Sequence, residues 1–240
     1  MIGWDTSGIP ALQNSRGAAA WEKGAPELRG GEEMAIYREV FGPSKEDIWR
    51  QLSKEIGARY VEGGFWHGDV VQAQIGEWTV TLDAHEVPSG GAKRFTTRLR
   101  APFANQDGFS FLVFRSGVFA ELGKLIGMQD VEVGFPEFDR KFVIKGNNKE
   151  LLRRLFSNEK IRELLSEQPN VRFEIVKIEG ESKGEARDEV RFQAVGAIQD
   201  LDRLKQLFEL FSVTLDQLCA MGSAYCGCSE ASTKTGEAET

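Results

Sequence analysis

Apolar positions along this chain follow two periods, and the switches between them predict the elements. Ile48, Trp49, Leu52 and Ile56 recur at helical spacing behind Ser44. Ser44 is an N-cap with Asp47 three residues on, and Gly57 offers a stop, so a helix is expected there. The period then drops to two. Arg59–Val61 and Asp69–Gln74 read as short strands on either side of an aromatic turn, Gly63-Gly64-Phe65-Trp66-His67-Gly68. Trp78, Val80, Leu82 and Ala84 alternate with Thr79, Thr81, Asp83 and His85. Phe95, Thr97, Leu99 and Ala101 alternate with Arg94, Thr96, Arg98 and Arg100. Pro88-Ser89-Gly90-Gly91 between them supplies turn chemistry, so the two runs form a hairpin. The register that makes the apolar faces coincide sets Asp83 opposite Arg98 and Thr81 opposite Arg100.

Phe109–Arg115 is a continuous apolar run, suited to a strand buried on both faces. Residues 117–126 return to helical spacing. Val131–Val133 and Lys141–Ile144 read as short strands separated by the loop 134–140. Asn147 or Asn148 caps a helix carrying Leu151, Leu152, Leu155 and Phe156, and Ser157 or Asn158 caps another carrying Ile161, Leu164 and Leu165. A second hairpin pairs Val171, Phe173 and Ile175 with Val190, Phe192 and Ala194 across a polar loop over 180–188, expected to be mobile. The longest helix runs from Leu201 to Met221 with a wide apolar stripe, from Leu201 and Leu204 through Phe208 and Phe211 to Leu215 and Leu218.

Hairpins outnumber any strand–helix–strand alternation. The predicted class is therefore α+β, a mainly antiparallel sheet built from hairpins and covered by helices, including the long C-terminal amphipathic one. A helix followed by a hairpin occurs twice, over 44–83 and 148–195, which suggests two related halves. Residues 1–33 show no lasting periodicity and read as a flexible extension. Met34 directly before Ala35-Ile36-Tyr37 looks like a natural start. Residues 34–221 read as a single domain, and 222–240 as a disordered tail.

Composition changes this picture in three places. Apolar residues make up 41% and aromatics 10%, too rich for a disordered chain. No run reaches the roughly 18 apolar residues of a membrane span, and no basic-then-apolar leader opens the chain, so a cytoplasmic protein without membrane contact is expected. The formal charge is −7, which argues against a nucleic-acid partner. That acidity is uneven. Residues 1–33 and 222–240 carry −2 each of the −7, leaving −3 for 34–221, where Arg94, Arg98 and Arg100 form a basic strand.

Candidate chemistry is sparse. Asp83 and His85 share a strand face beside Arg98 and Arg100. They read either as a solvent-facing ion pair, as a basic face for an anion or acidic peptide, or as a general-base pair with no marked nucleophile. Trp66 and His67 on the aromatic turn read as core closers or as a binding surface. Together Trp66, His67, Asp83, His85, Arg98 and Arg100 are the binding candidates, and none is assigned a catalytic role. Glu132, Glu137 and Asp139 lie close enough to ligate a hard cation, but a loop tied by Asp139 or Arg140 over core-plugging Phe135 and Phe138 fits the pattern better. Cys219, Cys226 and Cys228 lack a fourth ligand for zinc, and Cys219 falls where the helix stripe needs a small core residue. No Walker loop or dinucleotide fingerprint is present. The sequence predicts no metal and no cofactor. It favours a non-catalytic cytoplasmic binding or interaction protein, with a small-molecule enzyme using Asp83 and His85 as the alternative. The 201–221 helix could cover a sheet, enclose a ligand or join two copies as a homo-oligomer.

Several phrases together carry a resemblance: FGPSKEDIWRQL at 41–52, GGFW at 63–66, RAPF at 100–103, GMQDVEVGFPEFDRKFVIKGN at 127–147, LFSNEKIREL at 155–164 and LFELF at 207–211. The set resembles a family of uncharacterised bacterial proteins of Bacillus-type Firmicutes, over about residues 35–225. The resemblance implies a compact cytoplasmic domain that begins near Met34 and carries no assigned activity, so it lends no functional residues.

Overall fold

A computed structural model describes residues 43–64, 68–89, 92–116, 129–178 and 187–225. The expected extension over 1–33, the start at Met34, the turn residues Phe65, Trp66 and His67, the helix over 117–126, most of the 180–188 loop, and Cys226 and Cys228 lie outside the described residues.

The first helix, α1, spans Lys45–Glu55 and begins as its sequence demands. The Asp47 amide donates to Ser44 Oγ at 3.2 Å, and the Ser44 amide donates to the Asp47 carboxylate at 3.3 Å, a reciprocal cap. It ends at Gly57, whose φ of 66° lies in the left-handed region that glycine adopts without strain. The strands are β1 (Arg59–Val61), β2 (Val70–Ile75), β3 (Trp78–Ser89), β4 (Ala92–Phe103), β5 (Phe111–Arg115), β6 (Gln129–Asp130), β7 (Phe142–Gly146), β8 (Arg172–Ile178) and β9 (Arg187–Val195). The remaining helices are α2 (Pro136–Lys141), α3 (Lys149–Phe156), α4 (Glu159–Ser166) and α5 (Leu201–Met221). Asn148 caps α3 and Asn158 caps α4, each accepting from backbone amides of the first turn.

The α+β expectation holds. Among the described residues nine strands form one sheet in the order β1-β2-β3-β4-β9-β8-β5-β7-β6, and each pairing is antiparallel. The β3–β4 register is the one the apolar faces require, Asp83 opposite Arg98 and Thr81 opposite Arg100. The two hairpins join through β4 and β9, so both belong to a single sheet. Among the described residues the outermost strands β1 and β6 have three and two residues, short edges that offer little backbone for edge-to-edge association.

One sheet face is apolar and takes the helices. Val71, Leu82, Leu99, Phe192 and Phe173 face Trp49 of α1, Phe156 of α3 and Phe211 of α5 in one buried cluster. A chain of aromatic rings stitches the layers. Phe111 lies 6.0 Å from Phe156 and 5.4 Å from Phe173, and Phe173 lies 5.9 Å from Phe211. Such pairs add about 0.5–1.5 kcal/mol each beyond the area they bury. Strand β5 is buried on both faces, through Phe111 and Val113 on one side and Leu112 and Phe114 on the other. Gly146 sits where β7 meets α3. A Cβ there would fall 2.7 Å from Leu152 Cδ1 and 3.0 Å from the Ser110 carbonyl oxygen, so the close approach requires glycine.

Four expectations need correction. Val131–Val133 is not a strand; the pairing there belongs to Gln129–Asp130. The segment read as a loop holds a short helix, α2, which six residues cannot announce by periodicity. Asp139 does tie this segment, because its carboxylate accepts the amides of Val133, Gly134 and Phe135 at 3.0 Å each. Phe95, placed on the apolar face by alternation, is 58% exposed near the hairpin tip. The folded chain also continues past Met221. Gly222 ends α5 in the left-handed conformation, and the Ser223 hydroxyl donates to Asp107 at 2.8 Å. Tyr225 then donates its amide to the Ala104 carbonyl, so this strap holds the loop that crosses from β4 to β5.

The apolar stripe of α5 is consumed inside the chain: Leu204, Leu207, Phe208, Leu210, Phe211, Leu215 and Leu218 are all buried. Its outward positions are Asp202, Glu209, Asp216 and Ala220.

Candidate functional site

The sheet face opposite the helices carries the candidate residues. The two-residue period places Thr81, Asp83 and His85 of β3 there. Beside them lie Thr96, Arg98 and Arg100 of β4, Glu189, Arg191 and Gln193 of β9, and Arg172 and Glu174 of β8. The register sets Arg100 directly opposite Arg191, a like-charge pair that repels unless acids flank it. They do. Asp83 lies on one side, and Glu174, opposite Arg191, lies on the other.

Asp83 accepts two hydrogen bonds from Arg98, Nε to Oδ1 and Nη2 to Oδ2, both at 2.9 Å. Arg100 Nε lies 3.3 Å from Asp83 Oδ2, close enough for an ion pair but out of line for a hydrogen bond. Arg172 grips Glu174 in the same forked way at 2.9 and 2.8 Å, and Arg191 Nε donates to Glu189 at 2.6 Å. Planar guanidinium forks of this kind fix orientation as well as charge.

Exposure decides what this surface shows to solvent. The side chains of Asp83, Glu174 and Glu189 are 10, 6 and 4% exposed, whereas those of Arg98, Arg100, Arg172 and Arg191 are 22, 40, 25 and 28% exposed. The acids lie beneath and the guanidinium groups above. A patch of four arginines and three acids is nearly neutral by count, yet its outer layer is cationic.

His85 lies two residues beyond Asp83 on this face and is half-buried, with its Nδ1 buried and without a hydrogen-bond partner. Burial lowers its pKa first. Arg98 then lowers it against the opposing pull of Asp83, and Arg191 and Arg100 add to the lowering. The imidazole is therefore neutral at pH 7. The sign follows: the unfolded chain binds a proton that the folded chain resists, so acidification below the ordinary value of 6.5 costs stability until the folded-state pKa is passed. His85→Asn is expected to flatten the pH dependence of the denaturation midpoint between about pH 7 and pH 5. Equal slopes in both proteins would contradict this reading.

The structure brings together Asp83, His85, Arg98 and Arg100. Trp66 and His67 are not among the described residues, but residues that flank them in sequence are tied together. Asp69 accepts the Gly63 amide at 2.8 Å and lies 3.1 Å from Lys45 Nζ. Burial pushes the Tyr60 hydroxyl up to about 12, reinforced by the neighbouring Asp69 carboxylate. Arg172, Glu174, Glu189 and Arg191 are the members that sequence reasoning missed. Their alternation with Phe173, Ile175, Val190 and Phe192 was visible, but nothing local reveals that β9 lies beside β4.

The alternative cation site does not assemble. Glu132 and Glu137 are exposed, and the Asp139 carboxylate is occupied by three backbone amides. Among the described residues no cluster of three His, Cys, Asp or Glu side chains is poised to hold a metal. Cys219, expected to be a small core residue, packs partly against the core and is disulfide-bonded. No helix among the described residues is long and apolar enough to cross a membrane.

No protein family, curated protein or solved structure matches the chain. The resemblance to uncharacterised bacterial proteins therefore rests on the quoted sequence phrases alone.

Proposed function

We propose that this chain is a non-catalytic binding protein whose arginine-surfaced sheet face receives an acidic segment of a partner protein. The observation that supports it is the layering of charge, buried carboxylates under outward guanidinium groups. Such a surface is preorganised, because the acids hold the arginine heads in place before any ligand arrives. Incoming carboxylates would meet paired N–H donors from Arg98, Arg100 and Arg191. Arg100 is the most exposed of the four, so its outer N–H groups are the most open to a ligand. Peptide carboxylate is favoured over a nucleic-acid backbone because the protein as a whole carries −7, which opposes long polyanions.

A labelled hexaglutamate peptide should bind saturably at low salt and about tenfold more weakly to Arg100→Ala/Arg191→Ala, as loss of one to two charge-assisted contacts implies. Fluorescence anisotropy reads this directly, with an oligothymidine of equal charge as the competing ligand. Equal affinity in both proteins, or preference for the oligonucleotide, would sink the proposal.

The second reading, an enzyme that uses Asp83 and His85, draws on the neutral, unpartnered imidazole, the state a general base requires. Against it stand the two Asp83 oxygens, both engaged by arginine. A cytoplasmic location is part of the proposal, and the Cys219 disulfide is the observation that opposes it, since reducing compartments keep thiols free. Thiol counting on protein trapped with alkylating agent at lysis distinguishes the two compartments.

A further inference from the structure

A second surface lies away from the sheet's arginine face, in a cleft of about 380 Å³ between α2 and α4. Its floor and one wall are apolar, made by Phe138, which is buried, and by Phe135 and Pro136. Arg162 closes one side as a fixed wall. Its guanidinium lies 3.6 Å from the centre of the Phe135 ring and donates to the Phe156 carbonyl.

The rim is acidic in a specific pattern. Glu159, Glu163 and Glu167 follow each other at four-residue spacing, so they stand in one row along α4 and its C-cap. Glu137 faces them from α2, with Lys141 beside it. Like charges at this spacing repel and destabilise a helix. Among the described residues none of these four glutamates has a cation within ion-pair distance, whereas Lys160 on the same helix is engaged by Glu209 at 2.9 Å. The chain thus keeps an acidic row without an ion-paired cation where it borders an apolar cleft, and Lys141 and Arg162 are the cations of the same lining. Glu159 gains from the helix dipole in the first turn, but Glu163 and Glu167 lie beyond it, and like charges kept there mark a candidate functional surface.

We propose that this cleft is a docking site for a basic, partly apolar segment of a partner protein. Its apolar side chain enters over Phe138 and beside Pro136, and its lysine or arginine groups meet the glutamate row. Successive glutamates in the row are about 6 Å apart along the helix axis. Basic residues two apart on an extended strand match that spacing, since two strand residues span about 6.6 Å. The ligand pattern is therefore alternating basic and apolar residues in extended form. This site is separate from the arginine-lined sheet face and opposite to it in charge, so either can fail alone.

The test uses the full chain and a fluorescent hexapeptide of alternating lysine and leucine. Anisotropy titration should give saturable binding that weakens at least tenfold in Glu163→Gln/Glu167→Gln. The control Asp202→Asn/Asp216→Asn, which removes two exposed acids from α5, should bind as wild type does. A peptide with serine in place of leucine should bind more weakly than the alternating one. The Glu163→Gln/Glu167→Gln protein should melt close to the wild-type temperature, since the repulsion removed and the exposed Lys160–Glu163 attraction lost are both small; that separates a lost contact from a lost fold. Equal weakening in the α5 control would mean general attraction to an acidic protein and would overturn the proposal. So would unchanged binding in the cleft variant, equal binding of the serine peptide, or a concentration-dependent dimer in sedimentation that the cleft variant abolishes, which would make the occupant a second copy.

Discussion

Trp49→Ala should lower the unfolding free energy by about 3–5 kcal/mol, the cost of emptying a large, fully buried site. Trp49 is fully buried between α1 and the sheet, and its indole Nε1 donates to the Ile198 carbonyl at 3.2 Å. Alanine removes the ring and strands that carbonyl in the core. Trp49→Phe separates the two effects, since it keeps most of the volume and leaves only the unpaired carbonyl, at about 1–3 kcal/mol. Urea titration checks both, with the midpoint falling and the slope unchanged. A midpoint shift of Trp49→Ala no larger than that of Trp49→Phe would mean that the ring contributes little by packing.

The second large effect falls on the same joint. Thr97→Val should cost about 1–3 kcal/mol although it preserves shape, because a fully buried hydroxyl with two partners is lost. Thr97 Oγ1 donates to the Gly196 carbonyl at 2.7 Å and accepts the Ile198 amide at 2.9 Å. Both backbone groups of Ile198 are thus held by side chains more than a hundred residues earlier, one from α1 and one from β4. This joint fixes where the chain leaves β9 and enters α5, whose N-cap Asp200 follows two residues later. The Trp49→Ala and Thr97→Val losses should therefore not add. A double-mutant cycle should show coupling of about 0.5–3 kcal/mol, as expected for residues sharing a partner. Simple additivity in the cycle would show that the two contacts stabilise the joint independently.

What the sequence conveyed follows the range of the forces involved. Ser44 with Asp47, Asn148 and Asn158 announce helix starts because a cap acts over three residues. The β3–β4 register was legible because a hairpin pairs near neighbours and both faces alternate cleanly. The bounds of α5 follow from a stripe that persists over many turns. The β4–β9 pairing and the insertion of β5 between β8 and β7 were not legible, since no local pattern names a strand's distant neighbour. For the same reason only the β3 and β4 members of the arginine face, Asp83, His85, Arg98 and Arg100, could be singled out. Arg172, Glu174, Glu189 and Arg191 needed the sheet order. The helix α2 is too short to show a period, and Phe95 alternates correctly but lies beyond the reach of the helices. The glutamate row of α4 was visible as spacing, but its place beside a cleft depends on the packing of α2.

In the proposed function, outward guanidinium groups on the sheet face, held by buried acids, receive a carboxylate ligand. The most direct measurement follows the arginine side-chain Nε–Hε resonances by NMR while hexaglutamate is added. Saturable shifts with one common midpoint are expected for Arg98, Arg100 and Arg191, while the exposed Arg140 and Arg153, which lie on other elements, stay in place. Equal shifts at every arginine, or none at Arg98, Arg100 and Arg191, would contradict the proposed function.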